Sequence, residues 1–125
     1  MALIETAKRE KGGEKLPTRY YSKKQEDAIA KKLGGDRVKN SGATLWQKGD
    51  IYLDKWLLEA KTKTSPSKSM SIQKDWLDKN VQESLFMGKP YSALAFNFGP
   101  GEKNYYIIDE ELFETLVTHL NEGDA

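Results

Sequence analysis

Between Gly49 and Lys61 the chain alternates apolar and polar positions on either side of a polar pair, Asp54-Lys55. Such alternation predicts two short strands joined by a tight turn. A two-residue turn makes position 53 face 56, 51 face 58, and Asp50 face Glu59. Side chains alternate across a strand, so Ile51, Leu53, Trp56, Leu58 and Ala60 share one face, the one expected to pack inward. Asp50, Tyr52, Leu57, Glu59 and Lys61 share the other.

The hairpin sits inside a longer order of elements. Residues 1–20 are polar, with Lys8, Arg9, Lys11, Lys15 and Arg19 around Gly12-Gly13 and Pro17, and read as a flexible basic arm. One domain is expected over 21–125. Ser22 has the look of an N-cap, with Gln25 completing a capping box. The helix runs through Glu26, Ala28, Ile29 and Leu33 to Gly34-Gly35. Arg37-Val38-Lys39 reads as a short strand, and Asn40-Ser41-Gly42-Ala43 as a loop before the hairpin.

Beyond the hairpin, Thr62 to Ser71 is a Lys/Ser/Thr-rich loop around Pro66. A second helix is expected from Ile72 to Met87, with Ile72, Trp76, Val81, Leu85 and Phe86 in its apolar stripe. Gly88-Lys89-Pro90 stops it. Strands follow at Tyr91 to Phe98 and Tyr105 to Ile108, around the turn Gly99-Pro100-Gly101. A last helix from Asp109 to Leu120 is expected to turn Leu112, Phe113, Leu116 and Val117 inward. Helix, three strands, helix, two strands, helix is the order of an α/β domain with a central mixed sheet flanked by helices. No internal repeat interrupts it.

Composition narrows the chemistry. The chain has 125 residues, 31% of them charged, with a net charge of only +1, so a nucleic-acid face must come from local clusters of Lys and Arg. No cysteine is present, which removes disulfides, thiolate zinc sites and thiol nucleophiles, and fits a reducing, cytoplasmic setting. No apolar run approaches the roughly 20 residues of a membrane span, and no hydrophobic signal core opens the chain, so no membrane partner is expected. His119 is the single histidine and cannot build a histidine metal site or a serine-type triad. Catalysis would have to run on carboxylates, lysines and a metal.

The hairpin supplies such a set. Two carboxylates opposed across a ladder lie about 4.5–5.5 Å apart at Cβ and repel. A divalent cation between Asp50 and Glu59 would turn that liability into a site, with Lys61 beside it. Plain structural roles compete: Asp50 capping a strand, Glu59 paired with Lys61, and Glu26 on a solvated helix face beside Lys23. Asp54 is a rival acidic ligand, better explained as a turn former. Trp46 and Trp56 read as core or interface anchors rather than base-stacking platforms. His119 lies on a helix otherwise explained by packing.

An Asp opening a hairpin, then Glu59-Ala60-Lys61 on the next strand, after a helix bearing Glu26, resembles the PD-(D/E)XK nuclease superfamily. Within it, Arg37 to Ala43 followed by Gly49-Asp50-Ile51 is similar to the small Holliday-junction resolvases. The resemblance covers roughly Gln25 to Asn97. It departs from the pattern at Gly49, where the family carries a proline before the aspartate.

The resemblance implies a restriction-endonuclease-like core and a metal-dependent DNA endonuclease. Asp50 and Glu59 would ligate Mg²⁺ or Mn²⁺, with the Ala60 carbonyl and Glu26 completing or supporting the site. Lys61 would help orient or activate the attacking water and offset phosphate charge. Ser41 would approach DNA, Gln73 would stand near the lysine, and Arg37, Lys39, Lys63, Lys68 and Lys74 would form a phosphate-binding rim. A branched-DNA resolvase cuts two opposed strands, which implies a homodimer, and the small size suits a phage or mobile-element enzyme. The alternatives are a nicking, repair or restriction-like nuclease on linear or single-stranded DNA, a noncatalytic DNA-binding module, and a structural interaction protein.

Overall fold

The computed structural model describes residues 17–37 and 50–123. The expected strand residues Val38 and Lys39, the loop bearing Ser41, and Trp46 lie outside the described residues.

Three helices flank one mixed sheet. The elements are α1 (Thr18–Leu33), β1 (Asp36–Arg37), β2 (Asp50–Tyr52), β3 (Trp56–Lys61), α2 (Lys74–Phe86), β4 (Tyr91–Phe96), β5 (Tyr105–Ile107) and α3 (Glu110–Gly123). Strand order follows chain order from β1 to β5, with β1 contributing a two-residue rung. All neighbours are antiparallel except β3 and β4, which run parallel because α2 crosses between them.

The hairpin has the register that its alternation predicts: Asp50 opposite Glu59, Ile51 opposite Leu58, and Tyr52 opposite Leu57. Leu53 N–H donates to the Trp56 carbonyl at 3.0 Å and closes the turn, where Asp54 is exposed. Lys89 clamps the turn from below, its Nζ donating to the Leu53 and Asp54 carbonyls at 2.6 and 3.2 Å. Asp54 is thus a turn former. On the inward face Ile51, Leu58 and Ala60 join Ile29 of α1 and Ala93 and Ala95 of β4 in one buried cluster, with Leu53 and Trp56 packed against it.

α1 begins four residues ahead of the expected cap. Pro17, with extended backbone, stands at the N-cap, and Ser22 lies inside the helix, its Oγ donating to the Arg19 carbonyl at 3.1 Å. A proline is compatible with a helix start, where N–H groups have no intrahelical partner anyway. The end is as expected: Gly34 caps with φ +72°, a conformation that glycine reaches without penalty.

Gly35 next to it is required for space. A Cβ there would meet the Leu53 side chain and the Tyr52 carbonyl oxygen at 2.9 Å. A backbone oxygen held in a sheet cannot yield cheaply. Gly35→Ala is expected to destabilise by about 1–3 kcal/mol in urea denaturation; an unchanged midpoint would mean that the α1–β2 approach is looser than described.

Both later helices depart from their expected stripes. In α2 the buried positions are Asn80 and Ser84, with Trp76 and Glu83 half-buried, whereas Leu85 is exposed and Phe86 is 87% exposed. α2 covers the sheet face that carries Leu57 and Leu94 as well as Asp50, Glu59 and Lys61, and its buried Asn80 and Ser84 border a cavity beside β4 and α3. In α3 only Leu112 is buried, and Phe113 and Val117 are exposed. Asp109 caps that helix, accepting from the Leu112 N–H at 2.8 Å. That cavity, of about 270 Å³, lies between α2, β4 and α3, bordered also by Leu77, Val81, Tyr91 and Leu112, and neither Asp50 nor Glu59 lines it.

Candidate active site

Asp50 and Glu59 are neighbours across the β2–β3 ladder, 2% and 4% exposed. Asp50 Oδ1 is enclosed and accepts no hydrogen bond. Burial raises its carboxyl to about 8, helped by Glu59, then Glu83, then Glu26, with Lys61 pulling weakly the other way. Glu59 has a partner: Lys61 Nζ stands 3.0 Å from its Oε2. The same Nζ lies 4.2 Å from the ring centroid of Trp76 on α2, a second electrostatic hold on one ammonium. Tyr52, on the same face, has its phenol pushed up to about 12 by burial, Asp50 and Glu83.

The strand end that carries Lys61 is fixed by Gln25 of α1. Its Nε2 donates to the Lys61 carbonyl at 3.1 Å and to Asn104 Oδ1 at 3.0 Å, while Thr62 Oγ1 donates to its Oε1 at 2.6 Å. Asn97 joins the network, its Nδ2 donating to Asn104 Oδ1 at 3.3 Å. Gln25 therefore ties α1 to the end of β3 rather than closing a capping box. Such a satisfied buried network restricts the backbone beside a site.

Glu26 follows on the same helix and is buried, not solvated. Because Ile29 packs on the apolar sheet face, α1 lies opposite α2, and Glu26 influences Asp50 less than Glu83 does. Ala60 lies between Glu59 and Lys61 with its side chain in the core. Gln73 is exposed at the N-cap of α2. Lys63 is half-buried and Lys68 exposed, while Lys74 is exposed and pairs with Asp78 at 2.9 Å. Arg37 lies in β1, its backbone opposite Ile51. His119 is exposed.

A divalent cation suits this donor set. Carboxylate oxygens are hard ligands of the kind that Mg²⁺ and Mn²⁺ favour. Among the described residues no three His, Cys, Asp or Glu side chains stand close enough together to hold an ion among them. Two carboxylates and water remain, which is the usual manner of holding Mg²⁺. Within this set Asp50 Oδ1 is the enclosed oxygen without a hydrogen-bond partner.

No family model, curated protein or solved structure matches the chain. No helix among the described residues is long and apolar enough to cross a membrane.

Proposed function

We propose that the protein is a metal-dependent DNA endonuclease with a restriction-endonuclease-like core of the PD-(D/E)XK type. One observation carries the reading: two buried carboxylates face each other across a hairpin, one with an enclosed oxygen lacking a partner, and a lysine ammonium stands beside them. A fold bears that arrangement at a cost in stability, since like charges opposed on a ladder repel. Costs of this kind collect at working sites.

Asp50 and Glu59 would hold Mg²⁺ or Mn²⁺. The bound ion would supply Lewis-acid stabilisation of the phosphate and a more acidic water. Lys61, an ammonium fixed by Glu59 and Trp76, neutralises charge on the phosphoryl oxygens. Gln25 keeps the Lys61 backbone in register. Hydrolysis joins a water oxygen to phosphorus and breaks one ester bond; the water yields a proton and the departing oxygen gains one.

Branched DNA is the proposed substrate, and a homodimer the proposed assembly. The exposed Leu85, Phe86, Phe113 and Leu120 support pairing, since an apolar helix surface of this kind favours a protein partner over water. With Mg²⁺, the protein is expected to cut a four-way junction in opposed strands and to spare a matched linear duplex. Cutting of both would keep the nuclease and remove the resolvase. Tight, salt-sensitive binding without cleavage would leave a noncatalytic module.

A further inference from the structure

The acidic pair has a third neighbour that the hairpin motif does not contain. Glu83 lies two turns beyond Trp76 on α2, and residues at such spacing share a helix face. Trp76 meets Lys61, so this face looks onto the polar side of β3. Asn80, between them, is buried to 2% exposure, and its Nδ2 has no acceptor. Glu83 Oε1 is likewise enclosed and accepts no hydrogen bond. Asn80 and Ser84 border the cavity beside β4 and α3, and the sheet face under α2 also buries Leu57 and Leu94, so the polar demand on this face comes from Asp50, Glu59 and Glu83.

Charge points to the sign of an occupant here. Asp50 lies in the negative field of Glu59, Glu83 and Glu26, and Glu83 in that of Glu59, a setting that favours a cation. Among the described residues the enclosed carboxylate oxygens without a partner belong to Asp50 on β2 and Glu83 on α2.

We propose that Glu83 is a positioning residue of the cation site, accepting a hydrogen bond from the hydration water of an ion held by Asp50 and Glu59. The inference rests on the metal-site reading of that pair and extends it to α2. Outer carboxylates of this kind set metal affinity by about 10–100-fold. Glu83 also makes α2 part of the site, so ion binding would tighten the helix against the hairpin.

Mn²⁺ binding by calorimetry, on wild type, Glu83→Gln, Glu83→Asp and Asp50→Asn, tests this. Glu83→Gln is expected to weaken Mn²⁺ by about 10–100-fold, with a melting temperature in EDTA no lower than wild type because a repelling charge is gone. Glu83→Asp is expected to recover part of the affinity. Wild-type affinity in Glu83→Gln, with loss in Asp50→Asn, would overturn the role of Glu83 and leave the pair intact. A fall in EDTA stability matching the loss of affinity would also overturn it, by making Glu83 a merely structural residue. Absence of Mn²⁺ binding in the wild type would remove the metal reading itself.

Discussion

Glu59→Gln is expected to abolish cleavage while leaving DNA affinity within about twofold. The substitution keeps shape and removes the charge that an ion requires. The Lewis-acid contribution at stake is worth several kcal/mol, and about 1.4 kcal/mol is tenfold in rate, so a loss of about a thousandfold or more is expected. The apolar face behind Glu59 is untouched, since Leu58 and Ala60 point the other way into the core. Lys61 keeps its seat over Trp76 and can still face a phosphate. Single-turnover cleavage and fluorescence-anisotropy binding, measured on one preparation, separate the two effects. Normal cutting by the variant would place the chemistry elsewhere on the chain.

The second large effect concerns stability without metal. The Asp50 carboxyl is raised from 3.8 to about 8, chiefly by burial and by Glu59. Between those values the folded state holds a proton that the unfolded chain has released, so stability falls as pH rises through the window. The loss is complete above about 8 and absent below the unfolded value. In EDTA the wild type is therefore expected to be more stable at pH 5 than at pH 8, by on the order of a few kcal/mol. Glu83, raised by burial and by Glu59, adds in the same direction.

Asp50→Asn should flatten that profile and exceed the wild type at pH 8, an inactive protein more stable than the active one. Mg²⁺ should rescue the wild type alone, because binding to the folded state adds stability by mass action. Urea denaturation at the two pH values, with EDTA or Mg²⁺, reads all of this. Equal wild-type stability at both, with no gain from Asp50→Asn, would contradict a buried, ionisable Asp50.

Legibility of the fold varied with the physics of each element. The hairpin register was readable because a strand has a period of two and its faces differ sharply, so a slip by one residue would bury Asp50 and Glu59 in the apolar cluster. The end of α1 was readable from Gly34, whereas its start was not, because a capping-box pattern at Ser22 pointed past Pro17, five residues before it. The stripe of α2 misled because its buried positions, Asn80 and Ser84, are polar and border a cavity beside β4 and α3, so hydrophobicity alone points to the wrong side.

Glu83 was hidden by its neighbourhood in sequence. With Lys79 four residues before it, it has the spacing of an ordinary surface pair on a helix. Only the seating of α2 on β3 brings it toward Asp50. Gln25 was visible as a polar residue in the first helix, but its role depends on Thr62 and Asn104, 37 and 79 residues away. Asp50, Glu59 and Lys61 were legible because one hairpin holds all of them.

The most direct test of a metal-dependent phosphodiesterase centred on Asp50 is hydrolysis of end-labelled DNA by wild type and Asp50→Asn, each in Mg²⁺ and in EDTA. Expected are cuts by the wild type in Mg²⁺ and none in the other three reactions. Cutting by wild type in EDTA, or equal cutting by Asp50→Asn in Mg²⁺, would contradict the assignment of the hairpin carboxylates as the catalytic centre.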